Sequence, residues 1–141
     1  MPYEKSLRLE DFGFSADKTL VAGTWNRIGT AYTVPAQCAL MLGKVKDGFI
    51  SVILKDTTNT TFYGKVRVVA SNSEETKKVV LVEFNTRACT DLTDKLKMPE
   101  LPIRKPLVRQ DSKLIVEVDP EANNTLDYGN TLSRIDITMF T

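Results

Sequence analysis

Two stretches of apolar side chains on a period of two limit the fold more than any other feature of this sequence. Phe62, Gly64, Val66, Val68 and Ala70 alternate with Tyr63, Lys65 and Arg67. Successive side chains of a strand point to opposite faces, so this spacing predicts a strand with one face covered. After the polar break Ser71-Asn72-Ser73-Glu74-Glu75, a second stretch runs from Lys78 to Thr86. There Val80, Val82 and Phe84 share one face, while Val79 and Leu81 make the other face apolar as well. The pair reads as a β-hairpin whose second strand is central or covered on both sides.

The same pattern recurs along the chain. Phe49 to Lys55 is a strand candidate entered by the Lys46-Asp47-Gly48 turn, whose Asp-Gly pair tolerates positive φ. Leu114, Val116 and Val118 form another stripe, closed by Asp119-Pro120, because proline donates nothing to a ladder. Arg134 to Phe140 sets Ile135, Ile137 and Met139 against Arg134, Asp136 and Thr138. One or two helical turns are available over Thr90 to Lys97, capped by Thr90 or Asp91 and ended before Pro99. The three prolines between Met98 and Pro106 predict an extended surface segment. No strand–helix alternation appears, which excludes a doubly wound α/β fold. The expected fold is all-β: one domain over residues 1–141, a jelly-roll-like β-sandwich or barrel with at most one short helix. Residues 1–28 are expected to form an extended N-terminal arm.

Composition narrows the chemistry. With 42% hydrophobic and 26% charged residues, the chain can bury a core, so wholesale disorder is excluded. It has no histidine, which removes Ser-His-Asp and Cys-His catalysis and imidazole metal sites together. A net charge of +1 argues against a dedicated phosphate-binding surface, and no nucleic-acid partner is expected. The glycines are scattered singly, so no phosphate loop can be written and no cofactor is expected. Cys38 and Cys89 read as buried free thiols, a disulfide between them being the alternative. Glu74-Glu75 and the group Asp119, Glu121, Asn123 and Asp127 are the acidic candidates, for hydrolysis or for calcium. Both sit among Asn, Ser or Gly residues, as solvated turns do, and the reading is not an enzyme. Asn59-Thr60-Thr61 and Asn123-Asn124-Thr125 read as turns. The N-terminus shows no signal-peptide pattern and no apolar run is long enough to cross a bilayer, so a soluble, cytoplasmically made protein without a membrane partner is expected.

Two features suit contact with a partner. Phe12, Phe14, Trp25 and Arg27 bring aromatic anchors and an arginine together near the N-terminus. Six basic side chains fall between Lys95 and Lys113, among them Arg104 and Lys105.

The segment Ala31-Tyr32-Thr33-Val34-Pro35-Ala36 resembles the opening of the β-sandwich in many bacteriophage and related virus structural proteins. In those a strand runs into a proline turn and out into an apolar strand, here Cys38 to Leu42. Where such segments continue with Gly-Lys, this chain has Gln37-Cys38. Its Ser112 to Val118 ladder, the Asn-rich loop and the Ile135 to Thr138 strand are similar to those of small virion jelly rolls. The resemblance implies a capsid decoration (cement) protein on the virion surface that binds the major capsid protein as a homo-oligomer, a trimer being the expectation. The alternatives are a carbohydrate-binding module of a viral fibre, using Trp25 or tyrosines, and a single-stranded nucleic-acid-binding barrel stacking bases on residues such as Tyr63.

Overall fold

The computed structural model describes residues 4–34, 40–42, 50–58, 60–88, 90–92, 95–97, 107–108, 111–128 and 134–140. Regular structure in these residues is entirely β apart from two 3-10 turns, Leu9–Phe12 and Thr86–Ala88. The strands are β1 (Glu4–Leu7), β2 (Lys18–Leu20), β3 (Asn26–Arg27), β4 (Tyr32–Thr33), β5 (Leu40–Leu42), β6 (Ile50–Ile53) and β7 (Gly64–Ser71). Then follow β8 (Lys78–Asn85), β9 (Thr90–Leu92), β10 (Lys95–Lys97), β11 (Leu107–Val108), β12 (Lys113–Pro120), β13 (Asn124–Leu126) and β14 (Arg134–Phe140). They form two large antiparallel sheets and a two-stranded ribbon of β2 and β13, an all-β, sandwich-like fold.

The main sheet is built on the two long alternating segments. β7 and β8 are the expected hairpin, but β8 is the outermost strand rather than a central one, with Val79 exposed and Leu81 turned into the core by a bulge. Asn72 holds the hairpin loop by accepting from the Thr76 and Lys77 amides and donating to Thr76 Oγ1. β12 lies along the other edge of β7 in unbroken register, from Lys113↔Ser71 to Pro120↔Gly64. On the far edge of β12, β3 and β4 lie end to end, opposite Glu117–Val118 and Lys113–Leu114 respectively. Val66 and Val68 of β7, Val82 and Phe84 of β8, and Leu114, Val116 and Val118 of β12 all turn one way into the core. Each such side chain contributes roughly 1.5–3 kcal/mol by leaving water. The cost of burying polar backbone is met locally: the Gly64 amide donates to Oγ1 of the buried Thr86 at 3.0 Å.

The second sheet is organised by β14. β1 pairs along one edge of it, and β6 and β5 follow one another along the other. The order continues outward to β11 beyond β5, and to β10 and then β9 beyond β6.

Several expectations need correction. Residues 9–28 do not stand clear as an arm. Leu9, Phe12, Phe14, Leu20 and Ile28 are buried and belong to the core cluster. The spacing of Leu9 and Phe12 suits a 3-10 turn that brings both to one side, and Gly13 closes it at φ 71°. The described residues of the expected Thr90 to Lys97 helix are strands: β9 and β10 pair there, Lys95 opposite Leu92 and Lys97 opposite Thr90. β-Branched Thr90 and the short alternation favour a strand. The β12 strand does close at Asp119-Pro120: Pro120 is its last residue, facing Gly64, a position at a strand end where a missing donor is tolerated. Cys38, Cys89, the Lys46–Gly48 turn, the Met98–Pro106 segment, Arg104 and Lys105 lie outside the described residues.

Candidate functional site

The core-facing side chains of the main sheet alternate with an outer face that carries a row of charges. Across four neighbouring strands the register aligns Arg27 of β3, Glu117 of β12, Arg67 of β7 and Glu83 of β8. Opposite charges facing each other across strands stabilise a sheet. The Arg67 Nε donates to Glu117 Oε1 at 3.0 Å, both side chains being largely sheltered. Arg27 Nη1 lies 2.8 Å from Oε1 of Glu75, which reaches it from the β7–β8 loop. Glu75 holds a left-handed backbone, φ 57°, to make that approach. Two apolar side chains, Val69 and Ile115, are buried on this face and stand opposite each other, outside the main core cluster.

Trp25 belongs to this face. Its ring lies under the Arg67 guanidinium, 4.2 Å from CZ to centroid, and it is partly exposed and outside the core cluster. The loop that delivers it is fixed by polar groups. The Asn26 amide donates to the carbonyls of Val21, Thr24 and Val118, tying the turn to β12. The Ala22 amide donates to Asn123 Oδ1 and the Gly23 amide to Asp119 Oδ1. Val21, at the start of that turn, is 49% exposed.

Four of the six acidic-turn candidates thus have occupations. Asp119 and Asn123 hold the Trp25 turn, Glu75 faces Arg27, and Glu121 takes Arg87 through two oxygens. The Arg87 hydrogen bond holds the Glu121 carboxyl below the usual carboxylate range. Among the described residues no group of three or more His, Cys, Asp or Glu side chains is placed to hold a metal ion. Tyr63 carries the Arg87 guanidinium over its ring at 4.3 Å, so one stacking surface is already covered. Asp56 Oδ1 accepts from the Thr58 and Thr60 amides and from the Thr58 hydroxyl, while Asn59 lies outside the described residues.

Of the four described partner-contact candidates, Trp25 and Arg27 come together on the outer face. Phe12 and Phe14 lie in the core instead, Phe12 fully buried and tilted against Tyr32, and Phe14 edge-on to the exposed Tyr128. Arg67, Glu117, Glu75 and Asn26 are the members that sequence reasoning missed. Arg67 stood out as the polar partner in an alternating strand, but its cross-strand neighbour comes from fifty residues away. No helix among the described residues is long and apolar enough to cross a membrane. No family model, characterised protein sequence or solved structure matches the chain.

Proposed function

We propose that this protein is a non-enzymatic structural component of a virus particle, attaching to the shell through the outer face of its main sheet. The observation that carries this reading is the position of Trp25, the single tryptophan of the chain. It is held partly exposed under Arg67, on the face that carries the Arg67–Glu117 and Arg27–Glu75 ion pairs. A large amphipathic ring inside a charged rim is the composition of a protein contact, where Trp and Arg carry much of the energy. The commitment of Asp119, Asn123, Glu121 and Glu75 to turns and ion pairs supports a scaffold role over a catalytic one. The Tyr32-Thr33-Val34-Pro35-Ala36 resemblance supplies the virion context and names the major capsid protein as the partner.

Co-sedimentation with empty shells assembled from the major capsid protein of the same genome tests this. The wild-type protein pellets with the shells at a saturating ratio. Trp25→Ala weakens that binding by roughly tenfold or more while the protein remains folded. A wild-type protein left wholly in the supernatant overturns the proposal.

A further inference from the structure

β8 is the outermost strand of the main sheet, and over Lys78–Glu83 no strand among the described residues pairs with its second edge. Its middle, Val79-Val80-Leu81-Val82, is wholly apolar, and Val79 is 36% exposed. A long apolar strand edge is a template for another strand. The pairing of β8 with β7 slips by one residue between Val68 and Val69, leaving Leu81 as the extra residue. That bulge resets the alternation. Lys78 stands opposite Ser71 and Glu83 opposite Arg67, both on the outer face, although five residues separate them. In a regular strand residues five apart lie on opposite faces.

We propose that β8 pairs antiparallel with β8 of a second copy of this chain about a two-fold axis between Val80 and Leu81. In this register Lys78 of each copy meets Glu83 of the other on the outer face. Val79 meets Val82 on the core side, while at the axis the bulge keeps Val80 on the outer face and Leu81 in the core, so these two flank the axis without facing each other. Both charges are exposed in the single chain. The contact is self-complementary, as an isologous dimer requires, and it joins two main sheets into one continuous sheet. Without the bulge this register would set Lys78 and Glu83 on opposite faces, so the bulge selects it. The proposal is independent of the shell contact through Trp25.

Sedimentation velocity over a concentration series tests it, using the full chain and the variants Lys78→Glu and Glu83→Lys. The wild type sediments as a concentration-dependent dimer. Each variant sets two like-charged pairs across the axis and weakens the dimer by about tenfold. Mixing the two variants in equal amounts restores dimerisation, because each then supplies the charge its partner lacks. Glu83 also faces Arg67, so a thermal melt accompanies that variant. Lys78 faces Ser71, which keeps the test valid where Glu83→Lys fails to fold. A wild-type monomer or trimer overturns the proposal. So do variants that dimerise as tightly as the wild type, and a mixture no more dimeric than its components.

Discussion

The two large sheets reach continuity by different routes. In the main sheet, β7, β8 and β12 are each eight residues long, and β7 is paired along its length on both edges. In the other sheet, β14 is the one long strand, and it joins β1, β5 and β6, pieces of three or four residues. The difference is also one of distance along the chain. The β7–β8 turn closes between Ser71 and Lys78, whereas β14 reaches back to pair Ile137 with Leu7. The main sheet is therefore a local assembly extended by β12, while the β14 sheet is completed only once β1 and β14, far apart in sequence, have met.

Removing residues 1–14 strikes both regions at once and gives the largest expected effect. It takes β1 from β14 and Leu9, Phe12 and Phe14 from the core. One buried Phe truncated to Ala costs about 3–5 kcal/mol, against a total stability of roughly 5–15 kcal/mol for an ordinary domain. The truncated protein should lose its cooperative thermal transition. A truncation that melts at the wild-type Tm would return this segment to the role of a detachable arm.

That contrast also explains what the sequence makes legible. β7, β8, β12 and β14 are long enough for a period of two to repeat several times, and each was readable within a residue or two of its ends. β3 and β11 hold two residues each, less than one repeat of the pattern, so no local signal separates them from loop. The core role of Leu9, Phe12 and Phe14 was hidden for a related reason. A single 3-10 turn has no periodicity to read, and polar neighbours such as Glu10 and Asp11 make the segment look solvated. At the outer face, Trp25 and Arg27 announce themselves by residue type. Arg67 and Glu117 become a pair only through β12's choice of β7 as neighbour.

A smaller and more local break lies at Gly29, where the chain leaves β3 before resuming as β4. Gly29 has φ 67°, and a Cβ there would run into the Phe12 carbonyl oxygen, with the Phe14 amide nitrogen at 3.0 Å. Backbone cannot swing aside as a side chain does. Gly29→Ala should cost about 2–4 kcal/mol, combining left-handed strain with overpacking. Chemical denaturation measures it. A loss under about 1 kcal/mol would mean that the Phe12 turn is free to shift away from the main sheet.

Refolding sharpens the comparison kinetically. Between the β7–β8 closure and that of β1 on β14, the separation grows from Ser71–Lys78 to Leu7–Ile137. Chain closure costs about 0.6 kcal/mol for each doubling, so the wider closure costs roughly 2–3 kcal/mol more before any contact repays it. Pulse-labelled hydrogen exchange should therefore find β7 and β8 amides protected before those of β14. Simultaneous protection of both would show that the sheets fold as one unit.

The smallest effect tests the clamp at one end of the main sheet. Tyr63 precedes β7, Arg87 follows β8 and Glu121 follows β12, and the three meet as a stack and a two-oxygen ion pair. The Arg87 hydrogen bond lowers the Glu121 carboxyl pKa from its ordinary 4.5. A carboxylate held low in the folded state adds stability above its unfolded pKa and loses it as pH falls through the folded value. The contribution is thus present at neutral pH and disappears on acidification below about 4.5. The pair is exposed, so water and salt screen it and its share is small. Glu121→Gln should flatten the acid side of the Tm-against-pH curve slightly, and added salt should shrink the gap between the two proteins near neutrality. Asp56, held low chiefly by the Thr60 amide and then by the Thr58 hydroxyl, titrates in the same direction and remains in both proteins. The difference between the curves therefore isolates Glu121, and superimposable curves would leave the three strand ends held together by the Arg87–Tyr63 stack and the ladder itself.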